Sequence, residues 1–307
     1  MQDSENTQSV IGRVIEVSRR YVTVLTEQGA ILTGTLSSKA MLLATGDSVS
    51  FEERNGKVFV TSVHDASRCL FRSYRGAIRR MGANIDHLFV ITAVGETLQP
   101  LAIDRMILAG RVENIPLSLV VNKKDLGLEH VAFITSVYEK MGIPVLPVSA
   151  KAEVGLEQLR VVLDDDKVKT AALCGVSGVG KSTILNKLVP DAKARIGEVS
   201  VKTGQGRQTT SQPRGFIYEA SIHRSQKVLI DFPGIGFFGL SHLNAVTLPD
   251  AFDEMRAMKG ECRFLDCRHL QEPGCVVRDK IESGEIAPWR YQSYLQILAE
   301  IEDAKEY

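Results

Sequence analysis

Residues 175–182 read Gly-Val-Ser-Gly-Val-Gly-Lys-Ser and match the full pattern of a phosphate-binding loop (P-loop). An apolar run precedes them and a helical pattern follows, which is the context that this loop requires. The glycines let backbone N–H groups close around phosphate oxygens, and the next helix adds its N-terminal dipole. We expect Lys181 to reach the β- and γ-phosphates as a catalytic group, and the Ser182 hydroxyl to bind Mg²⁺. The predicted nucleotide contacts of this segment are Gly175, Val176, Ser177, Gly178, Val179, Gly180, Lys181, Ser182 and Thr183.

A P-loop alone does not distinguish ATP from GTP, and the sequence Asn-Lys-Lys-Asp at residues 122–125 supplies that choice. The Asp125 carboxylate can accept hydrogen bonds from both N–H donors on the guanine edge, whereas adenine would leave it unpaired. A site built in this way can favour the correct ligand over the wrong one by a factor of up to about 10⁴–10⁵. We expect Asn122 to hold the base and brace the P-loop, and the stem of Lys123 to pack on the ring. A solvated turn is the alternative for so short a motif.

Two further motifs end strands of the predicted sheet. Ser149 and Ala150 end one apolar strand, and the backbone N–H of Ala150 can meet the guanine carbonyl. Asp231 opens the sequence Asp-Phe-Pro-Gly, where it suits a direct or water-mediated Mg²⁺ role and the N–H of Gly234 can contact the γ-phosphate. A simple strand-ending turn is the alternative for this last motif. Together the motifs predict a GTP/GDP site that takes Mg²⁺ with the nucleotide.

The order of these motifs differs from that of most GTPases, in which the P-loop comes first. Here the base-reading segments, 122–125 and 149–151, precede the P-loop and Asp231. The strands can still occupy the same places in one sheet, because nucleotide contacts come from strand ends and not from chain order. The sequence therefore predicts a circularly permuted GTPase domain.

A second cluster of reactive residues lies near the C-terminus. Its spacing, Cys262-x₄-Cys267-x-His269-x₅-Cys275, offers three thiolates and one imidazole, a closed tetrahedral set suited to one structural Zn²⁺ per chain. Buried free cysteines are the alternative. The odd total of five cysteines, without a secretory signal, argues against a disulfide framework.

Other parts of the chain must position these residues. Five short β-rich segments between residues 11 and 63 suggest a small barrel of the oligonucleotide/oligosaccharide-binding (OB) type, with another small β-barrel as the alternative. From residue 86, alternating strands and helices predict an α/β domain with a mostly parallel sheet. After Pro249 the pattern is helical. The predicted domains are an OB-type β-barrel (1–67), a basic linker (68–85), the permuted GTPase domain (86–245) and a helical zinc-binding domain (246–307).

Composition limits the classes of function. The 307 residues are 44% hydrophobic, enough for two or three domains, and a net charge of zero gives no global signature for nucleic acid or membrane. No apolar run approaches the roughly 20 residues of a membrane helix, and the polar N-terminus lacks the features of a signal peptide. We therefore expect a cytoplasmic protein with no membrane partner. The predicted linker interleaves arginines with aromatic residues, and either contacts RNA or is simply solvated: Arg68, Phe71, Arg72, Tyr74, Arg75, Arg79 and Arg80.

The barrel, the permuted motifs, the segment Gly-Arg-Gln-Thr-Thr at 206–210 and the cysteine cluster together resemble one family. This is the bacterial ribosome small-subunit-dependent GTPase A (RsgA, also called YjeQ), and the resemblance runs from about residue 10 to 300. It implies an OB barrel, a permuted GTPase and a zinc-binding helical domain. It also implies a GTP hydrolase that acts in late maturation of the small (30S) ribosomal subunit, contacts 16S rRNA and is stimulated by the subunit. We expect a monomer.

Two positions depart from the pattern expected for efficient hydrolysis. The family's usual histidine in the 206–210 segment is replaced by Gln208, which can orient a water molecule but cannot act as an imidazole base. Ile235 lacks the hydrogen-bonding group that many GTPases place after the glycine of this motif. Thr210 is the predicted Mg²⁺-sensing hydroxyl, with Thr209 as the alternative. Two other functions stay open: an RNA-binding module with GTP as a regulatory ligand and negligible turnover, or a paralogue with a non-ribosomal partner.

Overall fold

The computed structural model describes residues 10–18, 21–36, 42–54, 57–74, 77–95, 98–129, 131–190, 212–221, 225–232 and 238–304. Along these residues the chain forms an N-terminal barrel, a β-hairpin, an α/β domain and a helical C-terminal unit. None of the helices in the described ranges is both long enough and apolar enough to cross a membrane.

Five strands form a closed barrel in the order β1-β2-β3-β5-β4. Strand β4 pairs back onto β1 in antiparallel fashion, whereas β3 and β5 pair in parallel. Alternate apolar side chains fill the interior, among them Val14, Val24 and Val60, each fully buried. The prediction of a five-stranded OB-type barrel is therefore confirmed. The strands are β1 (Val10–Val17), β2 (Val22–Thr26), β3 (Ile31–Leu36), β4 (Ser48–Arg54) and β5 (Lys57–Val63).

Residues 68–85, interpreted from the sequence as a basic linker, contain a two-stranded antiparallel hairpin. Its strands are β6 (Leu70–Tyr74) and β7 (Ala77–Gly82), with only two residues between them. The hairpin joins the barrel to the α/β domain as expected of a linker, but it has an antiparallel ladder of its own, with a register shift between Leu70 and Phe71. The domain boundaries themselves stay predictions.

The α/β domain contains a six-stranded sheet in the order β10-β9-β8-β11-β13-β12. All neighbours pair in parallel except β12, which runs antiparallel to β13 at one edge. Strands β8 and β11 are buried along their whole length, as expected for a sheet covered on both faces. The strands are β8 (His87–Ala93), β9 (Leu117–Asn122), β10 (Val145–Pro147), β11 (Thr170–Cys174), β12 (Arg214–Glu219) and β13 (Gln226–Asp231), and the helices are α1 (Pro100–Val112), α2 (Ala132–Lys140), α3 (Leu156–Asp164) and α4 (Lys181–Leu188).

The C-terminal unit is helical, as predicted. A 3₁₀ turn (Leu248–Ala251) precedes α5 (Asp253–Ala257), α6 (Val276–Glu282) and α7 (Pro288–Asp303). Helix α7 begins with a proline, whose missing N–H costs nothing in the first turn. Its buried face includes Ile297, Leu298 and Ile301, and it packs against α1 of the α/β domain.

A buried polar network fixes α7 to the α/β domain. The Asp104 carboxylate on α1 accepts hydrogen bonds from Tyr138 Oη at 2.8 Å, from an Arg290 guanidinium nitrogen at 2.6 Å and from the Ser293 hydroxyl. Arg290 also donates two hydrogen bonds to Glu254. Both members of the Asp104–Arg290 pair are almost fully buried, so each charge depends on the other to offset its lost hydration.

Substituting Asp104→Ala should therefore reduce the free energy of unfolding by about 3–5 kcal/mol, since it leaves a buried guanidinium with one carboxylate partner fewer. Chemical denaturation followed by circular dichroism measures this loss. Asp250→Ala is the control, because Asp250 pairs with Lys259 on the exposed surface and such pairs contribute less than about 1 kcal/mol. Equal losses in the two variants would contradict the role given to the network.

Candidate nucleotide-binding site and zinc centre

The P-loop lies between β11 and α4 and depends on its glycines. Gly178 and Gly180 have φ values of +84° and +94°, a region that side chains rarely adopt. A Cβ at Gly180 would lie 2.3 Å from Asn122 Nδ2, and one at Gly175 would lie 2.3 Å from the Ile91 carbonyl oxygen. Because α4 begins at residue 181, its first turn presents the predicted Ser182 and Thr183 at the helix N-terminus.

Lys181 belongs to this loop, and Asp231 lies close enough to it for the two charges to interact. Lys181 Nζ donates to the Gly175 carbonyl oxygen at 3.0 Å, and burial lowers the pKa of its ammonium group. Asp231 ends β13, and burial raises the pKa of its carboxyl to about 6 although Lys181 acts in the opposite direction. Its Oδ1 is buried and has no hydrogen-bond partner among the described residues. A free carboxylate oxygen at this place fits a cation, so Asp231 and Ser182 are suited to hold Mg²⁺ with a nucleotide.

Asn122 connects the two halves of the site. Its Nδ2 donates to the Val179 carbonyl oxygen in the P-loop at 2.8 Å, and its Oδ1 accepts from the backbone N–H of Ala150 at 3.0 Å. The side chain is 3% exposed, so water competes little for either bond. This geometry agrees with the predicted bracing of the P-loop. The Asn122 side chain connects the loop on the base side, at Ala150, with the loop on the phosphate side, at Val179.

Asp125 stands in a 3₁₀ turn, Lys124–Leu126, directly after β9. Ser149 donates its hydroxyl to Asp125 Oδ1, and this hydrogen bond lowers the pKa of the carboxyl, so the group is an anion at neutral pH. Lys123 adopts φ +60°, which turns the chain sharply after the strand. The structure thus places Asp125, Ser149 and Ala150 at one end of the sheet, with Asn122 between them and the P-loop.

Several predicted positions lie outside the described residues. These are the catalytic candidates Gln208 and Thr210, the alternative Thr209, Gly234 of the Asp-Phe-Pro-Gly motif, and Ile235. Their contributions to the site stay predictions.

The predicted zinc ligands come together at the C-terminal unit. The ligand atoms of Cys262, Cys267, His269 and Cys275 all lie within 4.8 Å of one another. His269 Nδ1 lies 3.7, 3.6 and 3.4 Å from the sulfurs of Cys262, Cys267 and Cys275. Tetrahedral zinc with ordinary Zn–S and Zn–N bonds separates sulfur from nitrogen by about 3.6 Å, so the cluster has the dimensions for the ion. The remaining cysteines, Cys69 and Cys174, are buried and free.

Residues that the spacing did not single out hold the zinc loop in shape. The Glu272 carboxylate accepts hydrogen bonds from three backbone N–H groups, those of Arg268, Leu270 and Gln271. Tyr291 and Tyr294 on α7 donate their hydroxyls to the carbonyl oxygens of His269 and Arg268. These hydrogen bonds fix the ligand loop to α7.

Similarity to known proteins agrees with this geometry. The sequence profile of the RsgA GTPase family matches residues 63–241. The small ribosomal subunit biogenesis GTPase RsgA of Haemophilus influenzae is 32% identical over 295 residues, which cover 93% of this chain and 83% of that protein. The chain belongs to the RsgA GTPase family. The protein of the same name from Azotobacter vinelandii is 35% identical over 265 residues, which cover 84% of this chain and 75% of the Azotobacter protein.

Solved structures with the fold of the RsgA family agree with the architecture. YjeQ from Thermotoga maritima superposes with a TM-score of 0.71 at 24% identity, covering 96% of this chain and 99% of that one. YloQ, described as a circularly permuted GTPase, superposes with a TM-score of 0.68 at 21% identity, and the match covers 99% of this chain and 98% of the YloQ chain. The permuted order predicted from the motifs is thus confirmed, and as a member of the RsgA family the chain is a GTPase in ribosome biogenesis.

Proposed function

We propose that this RsgA-family GTPase acts in the late maturation of the 30S ribosomal subunit and that the subunit accelerates its GTP hydrolysis. The observation that carries the proposal is the assembled site, in which one side chain, Asn122, joins the base-side loop to the P-loop. The names of the curated relatives, which this chain matches over most of their length, supply the ribosomal partner. Work on ribosomal subunits takes place in the cytoplasm, and we propose that the protein acts there as a monomer.

In this proposal different residues of the chain bind the base, the phosphates and the Mg²⁺ ion. Asp125 accepts from the guanine edge while Lys123 packs on the ring. The N–H of Ala150, which donates to Asn122 Oδ1 in the structure, shares its hydrogen with the base carbonyl when the nucleotide is bound. Lys181 moves from the Gly175 carbonyl to the β- and γ-phosphates, which offer it a stronger, charged acceptor. Mg²⁺, held by Ser182, Asp231 and Thr210, supplies charge stabilisation for the phosphates.

In this proposal the isolated enzyme orients the attacking water molecule poorly. Gln208 can hold a water molecule by hydrogen bonds but is not a base at neutral pH, and Ile235 offers no polar group. A group or a conformation supplied by the partner therefore completes the site. Contributions of this kind change the rate by about 10³–10⁵ in other GTPases.

The hairpin supplies a surface for 16S rRNA. Arg72 on β6 lies directly opposite Arg79 on β7, and like charges in this arrangement repel. Arg79 and Ile78 are exposed, whereas Arg72 Nε is buried and has no hydrogen-bond partner among the described residues. A phosphate oxygen bound at the exposed Arg79 guanidinium would offset the repulsion, since planar guanidinium groups bind phosphate well.

The proposed stimulation predicts single-turnover hydrolysis at least about 10³-fold faster with saturating 30S subunits than without them. Release of labelled phosphate, measured at several salt concentrations, tests it, with 50S subunits as the control for nonspecific contact. Equal rates with and without 30S subunits would refute the proposal.

Two alternatives have support of their own. Negligible turnover even with 30S subunits would favour an RNA-binding module that uses GTP as a regulatory ligand, as Gln208 and Ile235 allow. Failure to cosediment with 30S subunits in the presence of a non-hydrolysable GTP analogue would favour a paralogue with a non-ribosomal partner. The zero net charge and the acidic balance of residues 250–307, 13 Asp/Glu against 8 Lys/Arg, support this alternative.

We also propose that the Cys262–Cys267–His269–Cys275 cluster holds one structural Zn²⁺. Four protein ligands fill a tetrahedral ion, so no position stays open for a water molecule or a substrate. The role of the ion is then to stabilise the fold of the C-terminal unit.

A further inference from the structure

The second strand of the hairpin ends on a glycine that its backbone conformation does not require. Gly82 is the last residue of β7, and its φ lies outside the positive range that favours glycine. It pairs with Leu70 across the hairpin, and the N–H of the next residue, Ala83, donates to the Thr45 carbonyl oxygen of the barrel at 3.0 Å. The backbone of this buried residue is therefore held in place from two sides.

The ring of Phe232 explains why a glycine stands at this position. A Cβ at Gly82 would lie 2.6 Å from Phe232 Cζ, a distance at which one of the two atoms must shift. The ring is fully buried, and the ring of Phe238 packs against it with their centroids 5.7 Å apart. Because protein interiors are packed with few voids, a methyl group at residue 82 would displace a ring that has little free space around it.

Phe232 directly follows Asp231, and the peptide between them is fixed to the strand that leads into the P-loop. Its N–H donates to the Leu173 carbonyl oxygen of β11 at 3.0 Å, and Leu173 lies two residues before Gly175. The buried Oδ1 of Asp231 is the unpaired oxygen suited to Mg²⁺. Since the two side chains share this one peptide, a displacement of the Phe232 ring also moves the Asp231 carboxylate.

We propose that Gly82, a hairpin residue outside the nucleotide site, is a positioning residue for the Mg²⁺ ligand Asp231. By leaving room for the Phe232 ring, it lets the adjacent carboxylate take its place beside the P-loop. Mg²⁺ tolerates little displacement of its oxygen ligands, because it demands nearly octahedral geometry at about 2.0–2.1 Å. The inference rests on the proposed role of Asp231 as a Mg²⁺ ligand, and it makes the hairpin part of the support of that ligand.

Gly82→Ala tests the inference because it adds only the methyl group that the Phe232 ring excludes. We expect the Mg²⁺ concentration that half-saturates binding of a fluorescent, non-hydrolysable GTP analogue to rise about tenfold, as when the residues that support a metal ligand are changed. Fluorescence titration with Mg²⁺ measures this concentration. The affinity for the analogue in EDTA should stay unchanged, whereas general damage to the fold would lower it as well.

Phe232→Leu gives a second test that does not depend on the folding of Gly82→Ala. It removes part of the ring that holds the peptide, and it should raise the half-saturating Mg²⁺ concentration by a smaller factor. The double variant Gly82→Ala/Phe232→Leu should need no more Mg²⁺ than Phe232→Leu alone, because the shorter side chain leaves room for the methyl group. Such non-additivity identifies the ring as the link between the two positions.

Gly12→Ala is the matched control. Gly12 is also a buried strand glycine with an ordinary φ, and a Cβ there would lie 3.0 Å from the ring of Phe51 inside the barrel. The added methyl group therefore presses on an aromatic ring in the same way, but at a place with no contact to Asp231. We expect this variant to keep the Mg²⁺ requirement of the wild type.

Asp231→Asn separates a failure of the inference from a failure of the proposed Mg²⁺ role. If it raises the Mg²⁺ requirement while Gly82→Ala and Phe232→Leu leave it unchanged, the inference is wrong and the role of Asp231 stands. If Asp231→Asn has no effect either, the Mg²⁺ role is wrong and the inference fails with it. The assay contains no ribosomal subunits and needs no turnover, so its result is separate from that of the stimulation experiment.

Discussion

Replacing Asp125 with alanine should weaken GTP binding by about 10²–10⁴-fold while leaving the weak binding of ATP unchanged. The carboxylate accepts a hydrogen bond from Ser149, which lowers its pKa further, and it is the only acceptor proposed for the two N–H donors of guanine. Losing two hydrogen bonds to a charged group accounts for an effect of this size. Competition between labelled GDP and unlabelled nucleotides measures the affinities.

Because the affinities for GTP and for ATP are both measured, this experiment is specific for recognition of the base. Asp303→Ala is the control, because it removes an exposed carboxylate at the end of α7, far along the chain from the site. A parallel loss of GTP and ATP affinity in Asp125→Ala would indicate general damage to the site, and unchanged GTP affinity would rule out the proposed recognition of guanine.

Replacing Cys275 with alanine should reduce the zinc content from one ion per chain to none. Structural zinc contributes about 10–16 kcal/mol to the folding of small domains, so the C-terminal unit should open at temperatures where the rest of the chain stays folded. Metal analysis of the dialysed protein gives the zinc content, and limited proteolysis shows cleavage within residues 246–307.

Cys69→Ala is the matched control for this change. Cys69 is also a buried free cysteine, but it lies near the hairpin and outside the ligand cluster. We expect it to retain the ion and to lose only the small packing contribution of one sulfur atom. A Cys275→Ala protein that keeps its zinc, or a wild-type protein that is folded without zinc, would remove the structural role.

Much of the site was predictable because strand-end chemistry is local in sequence. Glycines at residues 175, 178 and 180, and a lysine and serine directly after them, specify a loop whose shape depends on a few neighbouring backbone angles. The apolar runs before these residues identify the strands that Asn122 and Asp231 end, and the strand that Ser149 follows by two residues. Ligand spacing likewise identified the cysteine cluster, because the four residues are close in the chain.

The features that were not predictable depend on contacts between distant parts of the chain. Asp104 and Arg290 are 186 positions apart, and neither helical pattern says that one will neutralise the other. The contact between Thr45 and Pro213 spans 168 positions. The hairpin had a local signal in the sequence, because a two-residue segment that ends in glycine separates its two strands. The arginines around that segment favoured a linker over strands instead.

The order of strands in the sheet determines when GTP can assist folding. β8 lies between β9 and β11, yet β11 follows it by almost 80 residues in the chain. A growing chain therefore completes the guanine-reading strand ends while one edge of the buried β8 is still unpaired. The P-loop becomes available only after residue 182 has emerged, so the nucleotide can stabilise only chains in which β8 to β11, four of the six strands, have already been made.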